Sequence, residues 1–430
     1  MANHAEPVLI DMTDPHSPFR ADIDAAYAGL RARGPVVRVA FGSSTDGNGQ
    51  PACPMRGMPL VTHYALGVAT LLDDRFSSDP GVVRTGERRA PPPPVPVPEE
   101  SPPLSQSLLS LDPPDHTRLR KLVQQSFTGR AMGALRPRVQ AIADALLDRA
   151  ERDAAEQRER EPDRRMDLIE AFAYPLSVTV ICEMLGIPAR DHPTVLEWTE
   201  SLVAASGPQM PVQARASLRQ FVAYLRQLFA QRRAYPADDM ISRLVHAAQD
   251  GDRLDEQELL SMVFLLFIAG HATTMHLIGN AVLALLTHPD QLAKVKADPT
   301  LAKETIEETL RYWGPVDNIT RIATQDVELA GTAIQRGEVV TVSLASADRD
   351  PARFPAADVF DITRPDAGRH VAFGKGMHLC LGAPLARVEG QIALTSLLQR
   401  YPQLRLAVPA TSLTWRPDFL RGLERLPVRF

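Results

Sequence analysis

The 430-residue chain lacks a long hydrophobic run. Its longest, Met262 to Gly270, falls far short of the roughly 18 apolar residues that suit a membrane span. Met1 to Arg20 mixes Asp, Glu, His and Pro and has no apolar region of the kind a secretory signal carries. Neither sign of charge dominates. The 47 Lys and Arg face 52 Asp and Glu, a net −5, which leaves no nucleic-acid footprint. These absences predict a soluble, cytoplasmic protein with no membrane anchor and no nucleic-acid partner. Internal repeats are also lacking.

Cysteine is scarce as well. Three residues, Cys53, Cys182 and Cys380, are too few and too odd in number for a disulfide framework. Cys182 lies in the apolar stretch Val178 to Leu185 and reads as a small buried hydrophobe. Cys53, among Pro51, Pro54 and Gly57, reads as an inert loop residue. Cys380 stands in a different setting, taken up below.

Helical periodicity covers most of the chain, and at 44% hydrophobic it can bury a large core. Helices are predicted over His116–Phe127, Met132–Ala150, Met166–Leu185, Thr194–Ala205, Val212–Arg233, Asp239–Ala248, Asp255–Thr287, Pro289–Ala297, Leu301–Trp313 and Leu381–Arg400. Short strands are predicted at Val36–Ala40, Leu60–Thr62, Ile319–Ala323, Val327–Leu329, Val339–Ser343, Leu404–Val408 and Pro427–Phe430. The class is mainly α with a small β-sheet region. The strands do not alternate with the helices, which weighs against a doubly wound sheet. Ala90 to Pro103 is proline-rich and reads as an exposed, partly polyproline loop. Asp148 to Arg165 is mostly charged and reads as a solvated helix end and loop.

The helix Asp255–Thr287 opens on a capping box, Asp255 and Glu258, and is apolar on nearly all sides from Leu259 to Ile268. Such a helix belongs in the middle of a large protein. Yet its centre reads Ala269-Gly270-His271-Ala272-Thr273-Thr274, and Gly and Thr are poor helix formers. Either the helix kinks without chemistry, or its backbone opens where something lies against it.

Phe373 to Gly382 (FGKGMHLCLG) carries the sharpest chemical signal. Gly374, Gly376 and Gly382 permit conformations closed to other residues and allow close backbone approach. Cys380 stands where this loop enters an apolar helix, whose start favours a thiolate. A lone thiolate suits one axial bond to haem iron and fits poorly with zinc, which wants three or four protein ligands. Without its glycines, Cys380 would read as a small buried hydrophobe. Glu308 and Arg311 are three apart and share a helix face. Alone they would read as an exposed ion pair. His116 and Arg120, four apart, also share a face, which alone would read as solvated.

The loop Phe373–Gly382 resembles the cysteine loop of the cytochrome P450 family of haem-thiolate monooxygenases. Ala269–Thr274 resembles the family's oxygen-binding stretch, and Glu308-Thr-Leu-Arg311 its Glu-x-x-Arg motif. Phe360 to Pro365 resembles the segment that supplies that pair's third partner, here Arg364. Asp112 to Arg120 resembles the propionate-binding helix start of bacterial members. The likeness runs from about Asp14 to the end, as one domain over residues 1–430 with the proline-rich loop 90–103 inside it. It implies a triangular, helix-rich fold with haem b between the long central helix and the cysteine-loop helix. It also implies that Cys380 is the axial ligand and that Phe373 packs beside it. His116, Arg120, Arg321 and His378 would meet the propionates, with Gly374 and Gly382 shaping the loop. Ala269 and Gly270 would let the central helix approach the haem. Thr273 matches the alcohol that, in the family, hydrogen-bonds activated dioxygen and helps deliver protons. Glu308, Arg311 and Arg364 would be structural support.

One position departs from the pattern. The residue before the alcohol is usually acidic, and here it is Ala272, which cannot relay a proton. Water or His271 could substitute, a polar group on the substrate could complete the relay, or the enzyme could run chemistry with other proton demands. The resemblance places substrate contacts at Gly81–Gln106, Thr194–Gln213, Leu266–His271, Val316–Ile319 and near Leu413–Leu420. Asp317 and Asn318 are polar there and could read a polar substrate group or point to solvent. Beside Leu266, Val316 and Ile319 they complete the candidate substrate pocket. Electrons would come from NAD(P)H through a ferredoxin reductase and a ferredoxin, and Arg118, Lys121 and Lys375 could offer a basic docking patch. A monomer that inserts oxygen from O2 into a small organic substrate is the expectation. Oxidative coupling, peroxide-driven turnover and a non-catalytic haem sensor are the alternatives.

Overall fold

The structure is a computed structural model that describes residues 7–10, 17–41, 57–83, 107–156, 164–203, 212–249, 252–416 and 420–430. Cys53 and the proline-rich loop 90–103 lie outside these residues. The chain divides into two compact units. One comprises Met1–Arg89, Gly279–Cys380 and Val408–Leu426, and the other Ala90–Ile278, Leu381–Ala407 and Pro427–Phe430.

The first unit is built on a six-stranded sheet. Its strand order is Val8–Ile10, Val36–Phe41, Met58–Val61, Val339–Ser343, Asn318–Ala323 and Phe76–Ser77. Val339–Ser343 pairs parallel to Met58–Val61 and antiparallel to Asn318–Ala323, with Val340 opposite Arg321 and Ser343 opposite Asn318. Val61, Phe76, Ala323, Val340, Val342 and Leu344 form one apolar cluster beneath it. The amphipathic helix Ala302–Trp313 turns Glu308 and Arg311 inward with Ile306 and Leu310.

The second unit is helical apart from small pairings, including Arg165–Asp167, Pro427–Arg429 and Arg405–Leu406. The helices Gly129–Glu156 and Ala383–Arg400 are tied by Gln140 donating to Ser396 and by Arg400 on Asp148 and Glu151. The central helix, Glu256–Thr287, is 32 residues long. Its capping box forms: the Asp255 amide donates to Glu258 at 3.0 Å and the Glu258 amide to Asp255 at 2.7 Å. Phe264 and Phe267 pack on Phe221, with ring centres 5.8 and 5.3 Å apart. The helix is long and apolar enough to cross a membrane, but 72% of that window is buried inside the protein.

The helix expected over Met166–Leu185 is divided. Arg165–Asp167 is a strand, Ile169–Ala173 a π turn, and only Tyr174–Leu185 is α-helical. Pro175 gives the reason. It has no N–H to donate and is tolerated in the first turn of a helix, not in its middle. Helices Ile23–Arg33 and Tyr64–Leu72 form where the sequence predicted none.

Candidate active site

The cysteine loop lies at the end of a segment of the first unit and is shaped by backbone geometry. Gly374 and Gly376 have φ of 72° and 74°, the left-handed region that favours glycine. A side chain at Gly376 would also meet the Leu71 carbonyl at 2.9 Å. Gly382 has φ of −79° and caps the helix Ala383–Arg400, so its role is not the backbone freedom expected of it. The Gly374 amide donates to Val371 at 2.7 Å and the Cys380 amide to Phe373 at 2.9 Å, which closes the loop. Cys380 is exposed, two residues before the helix cap. Cys182 is buried instead, and burial pushes its thiol up to about 12.

Behind the loop is a dense set of buried polar contacts. Glu308 and Arg311 form a two-pronged pair at 2.8 and 2.7 Å with both side chains 0% exposed, so the exposed reading of this pair does not hold. Arg311 also donates to the carbonyls of Asp348, Ala357 and Val359. Arg364 reaches Glu308 at 3.3 Å, and the Asp361 amide reaches it at 2.9 Å. Glu308, Arg311 and Arg364 are therefore brought together. Three further residues join them that the sequence did not mark. Asp348 accepts from the Val371 amide at 2.8 Å, and burial raises its carboxyl well above the usual range. His370 accepts from the Ala372 amide on Nδ1 at 3.1 Å, which leaves Nε2 to donate to Glu307 at 3.3 Å. Only the fold joins these partners, 23 to 63 residues apart in sequence, so no local pattern announced them.

The second unit carries the centre of the long helix. It is continuous through Ala269–Thr274, so the ladder does not open as a break. Thr273 and Thr274 donate to the carbonyls of Ala269 and Gly270 at 2.7 and 3.0 Å, a hydroxyl arrangement that helices tolerate. Along this largely buried helix, Ala269 is exposed and Thr273 half-buried, one turn apart on one face. Gly270 has a packing reason: a side chain there would meet Ile181 Cδ1 at 2.9 Å. His271 lies two residues from Thr273 and does not share its face. Its Nδ1 donates to the Phe267 carbonyl at 2.8 Å, and its ring packs on Phe267 and Tyr174. Burial holds its pKa below the ordinary value. Ala272 is buried.

His116 and Arg120 share one face of Asp115–Gln124, with His116 buried. Burial, and then the charge of Arg120, lower the His116 pKa. Two donors so placed suit a carboxylate. Arg321 is buried in the first unit, on the strand Asn318–Ala323, and His378 ends a 3-10 turn of the cysteine loop. Among the described residues no group of three or more His, Cys, Asp or Glu could hold a metal ion, so Cys380 would serve as a single protein ligand. Within the first unit, an exposed thiol on a glycine-bent loop and the buried Arg321 are groups of the kind that haem requires, and within the second so are the buried His116 and the accessible Ala269–Thr273 face. Leu266 is buried, while Val316 and Ile319 are half-buried. Asp317 is buried, and Asn318 donates to the Tyr27 hydroxyl at 2.9 Å, so neither simply faces solvent. Arg118 is paired with Glu258, which removes it from a freely available docking patch.

A family model for cytochrome P450 matches residues 83–405. The chain is 42% identical over 429 residues to cytochrome P450 monooxygenase PikC of Streptomyces venezuelae, covering 99% of this chain and 95% of that protein. Its structure is similar to that of the bacillaene polyketide synthase cytochrome P450 PksS of Bacillus subtilis, with a TM-score of 0.83, 36% identity, and 97% and 99% of the two chains covered. It is also similar to CxnD, a cytochrome P450 for C–S bond formation in chuangxinmycin biosynthesis, with a TM-score of 0.81, 34% identity, and 100% and 98% covered.

Proposed function

The chain belongs to the cytochrome P450 family and is a monooxygenase with haem b as cofactor; on that premise we propose that it hydroxylates or epoxidises a small secondary metabolite. Haem held by Cys380 supplies activation of dioxygen, in which one oxygen atom enters the substrate and the other leaves as water, at the cost of two electrons and two protons. The electrons originate from NAD(P)H, and a ferredoxin reductase and a ferredoxin deliver them to a soluble, cytoplasmic monomer. The observation that carries this reading is the Cys380 loop, with its left-handed glycines and exposed thiol.

The residues of the chain then divide the work. Phe373 packs beside the thiolate. His116, Arg120, Arg321 and His378 neutralise the haem carboxylates. Glu308, Arg311 and Arg364 hold the segment before the loop. Thr273 offers its hydroxyl to the reacting oxygen, and Leu266 with Val316–Ile319 contacts the substrate. Protons reach Thr273 through water or a substrate hydroxyl, since the His271 ring is bonded to Phe267. The exposed Lys121 and Lys375 face the ferredoxin.

Oxidative coupling is the second reading. Ala272 favours it, because coupling makes other proton demands than oxygen insertion. The likeness to an enzyme named for C–S bond formation adds to it. Reduced-minus-CO spectroscopy tests the cofactor: a red-shifted thiolate Soret band is expected, and its absence overturns the reading. Product analysis with the substrate found by spin-shift screening then separates insertion from coupling.

A further inference from the structure

Two carboxylates and two arginines meet inside the first unit. Asp24, on the helix Ile23–Arg33, accepts from Trp313 Nε1 at 3.0 Å, Arg349 at 2.9 Å and Arg421 at 2.8 Å. Asp317 faces the same group from the start of the strand Asn318–Ala323. It is 8% exposed, and among the described residues its Oδ1 has no hydrogen-bond partner, nor has Nε of Arg421. The backbones of these residues are tied together. Val316 bridges Leu420, the Arg421 amide donates to Pro315 at 2.8 Å, and Asn280 bonds the carbonyls of Trp313 and Arg421. The Asp317 carbonyl is held by the Leu344 and Ala345 amides.

We propose that Asp317 is a positioning residue, whose charge, set against Arg421, fixes the backbones at Val316 and Leu420 and so tunes ligand affinity. This rests on the placing of Val316–Ile319 beside the substrate under Proposed function. Among the described residues, the charged and titratable groups facing Asp317 are Arg421 from the C-terminal turn, and Asp24 and Tyr27 from the helix Ile23–Arg33. Burial raises the Asp317 carboxyl to about 6, against the pull of Arg421 and with the push of Asp24. The sign follows from linkage. The folded chain keeps this proton longer than the unfolded one, so the contribution to stability is full below pH 3.8 and is lost as pH rises through about 6.

The test uses the ferrous holoenzyme with two ligands that do not titrate in this range, methyl isocyanide and n-hexyl isocyanide. The short ligand reports the iron alone, and the long one also touches the surroundings. The hexyl-to-methyl affinity ratio of the wild type should change about fivefold across a midpoint near pH 6, at the lower end of typical coupling. In Asp317→Asn the ratio should be flat, and Asp317→Glu should restore the break. A flat wild-type ratio overturns the proposal even where the variants fail to fold, and so does an unchanged break in Asp317→Asn. A missing thiolate Soret band with CO would instead overturn the haem reading, and this proposal with it.

Discussion

The segment behind Cys380 and the centre of the long helix handle polar groups in opposite ways. Behind the loop, every oxygen of Glu308 is used, by Arg311, Arg364 and the Asp361 amide, and Arg311 spends its remaining donors on three carbonyls. At the helix centre, among the described residues, the hydroxyls of Thr273 and Thr274 bond only back to their own helix, and Ala272 offers nothing. A matched buried network is rigid, because moving one member strands another. A hydroxyl with a local partner can exchange it at little cost. The loop side is thus rigid, and the helix centre is left open to adjustment.

The largest effect should come from breaking the rigid side. Arg311→Ala leaves Glu308 buried without its main partner, which costs about 3–5 kcal/mol. Denaturant unfolding should show the loss, and the purified protein should retain little haem by its CO spectrum. A variant that keeps its haem and loses under about 1 kcal/mol would erase the contrast between the two regions, since one hydrogen bond is worth that much.

Effects at the adjustable side should be smaller and chemical in kind. Thr273→Ala should raise the peroxide released per product about tenfold, below the 10²–10⁴ of a full general acid because water can stand in. Ala272→Glu should lower it, at some stability cost, because Ala272 is buried. Peroxide and product measured in the same reaction decide this. Equal coupling in both variants and wild type would place proton delivery outside this helix.

How much was legible depended on how local the cause was. The central helix was readable almost to the residue because Asp255 and Glu258 cap each other across three positions. Pro289–Ala297 and Val339–Ser343 carry their signals within themselves. The bends at Gly374 and Gly376 were readable because one short loop holds them, whereas Gly382 takes an ordinary helical conformation. The network of Asp348, His370 and Glu307 was not, because each side chain finds its partner only when distant segments meet. The same holds for Asp24, Asp317 and Arg421, which span most of the chain. Met166–Leu185 misled because apolar periodicity continues across Pro175, while Arg165–Asp167 is drawn into a strand by Pro427–Arg429.

The smallest effect separates His271 from Thr273. Buried neutral, His271 contributes stability that is full above the ordinary value of 6.5 and is lost as pH falls below it. His271→Phe removes the bond to Phe267 and should cost about 1 kcal/mol at pH 8. It also removes the cost of charging the ring, so the gap to wild type should narrow by pH 5. Urea unfolding at the two pH values reads this directly. Peroxide per product should stay unchanged, because the ring is bonded along its own helix and does not share the Thr273 face. If leakage instead rises as far as in Thr273→Ala, the two residues form one relay, and the helix centre holds a fixed proton path after all.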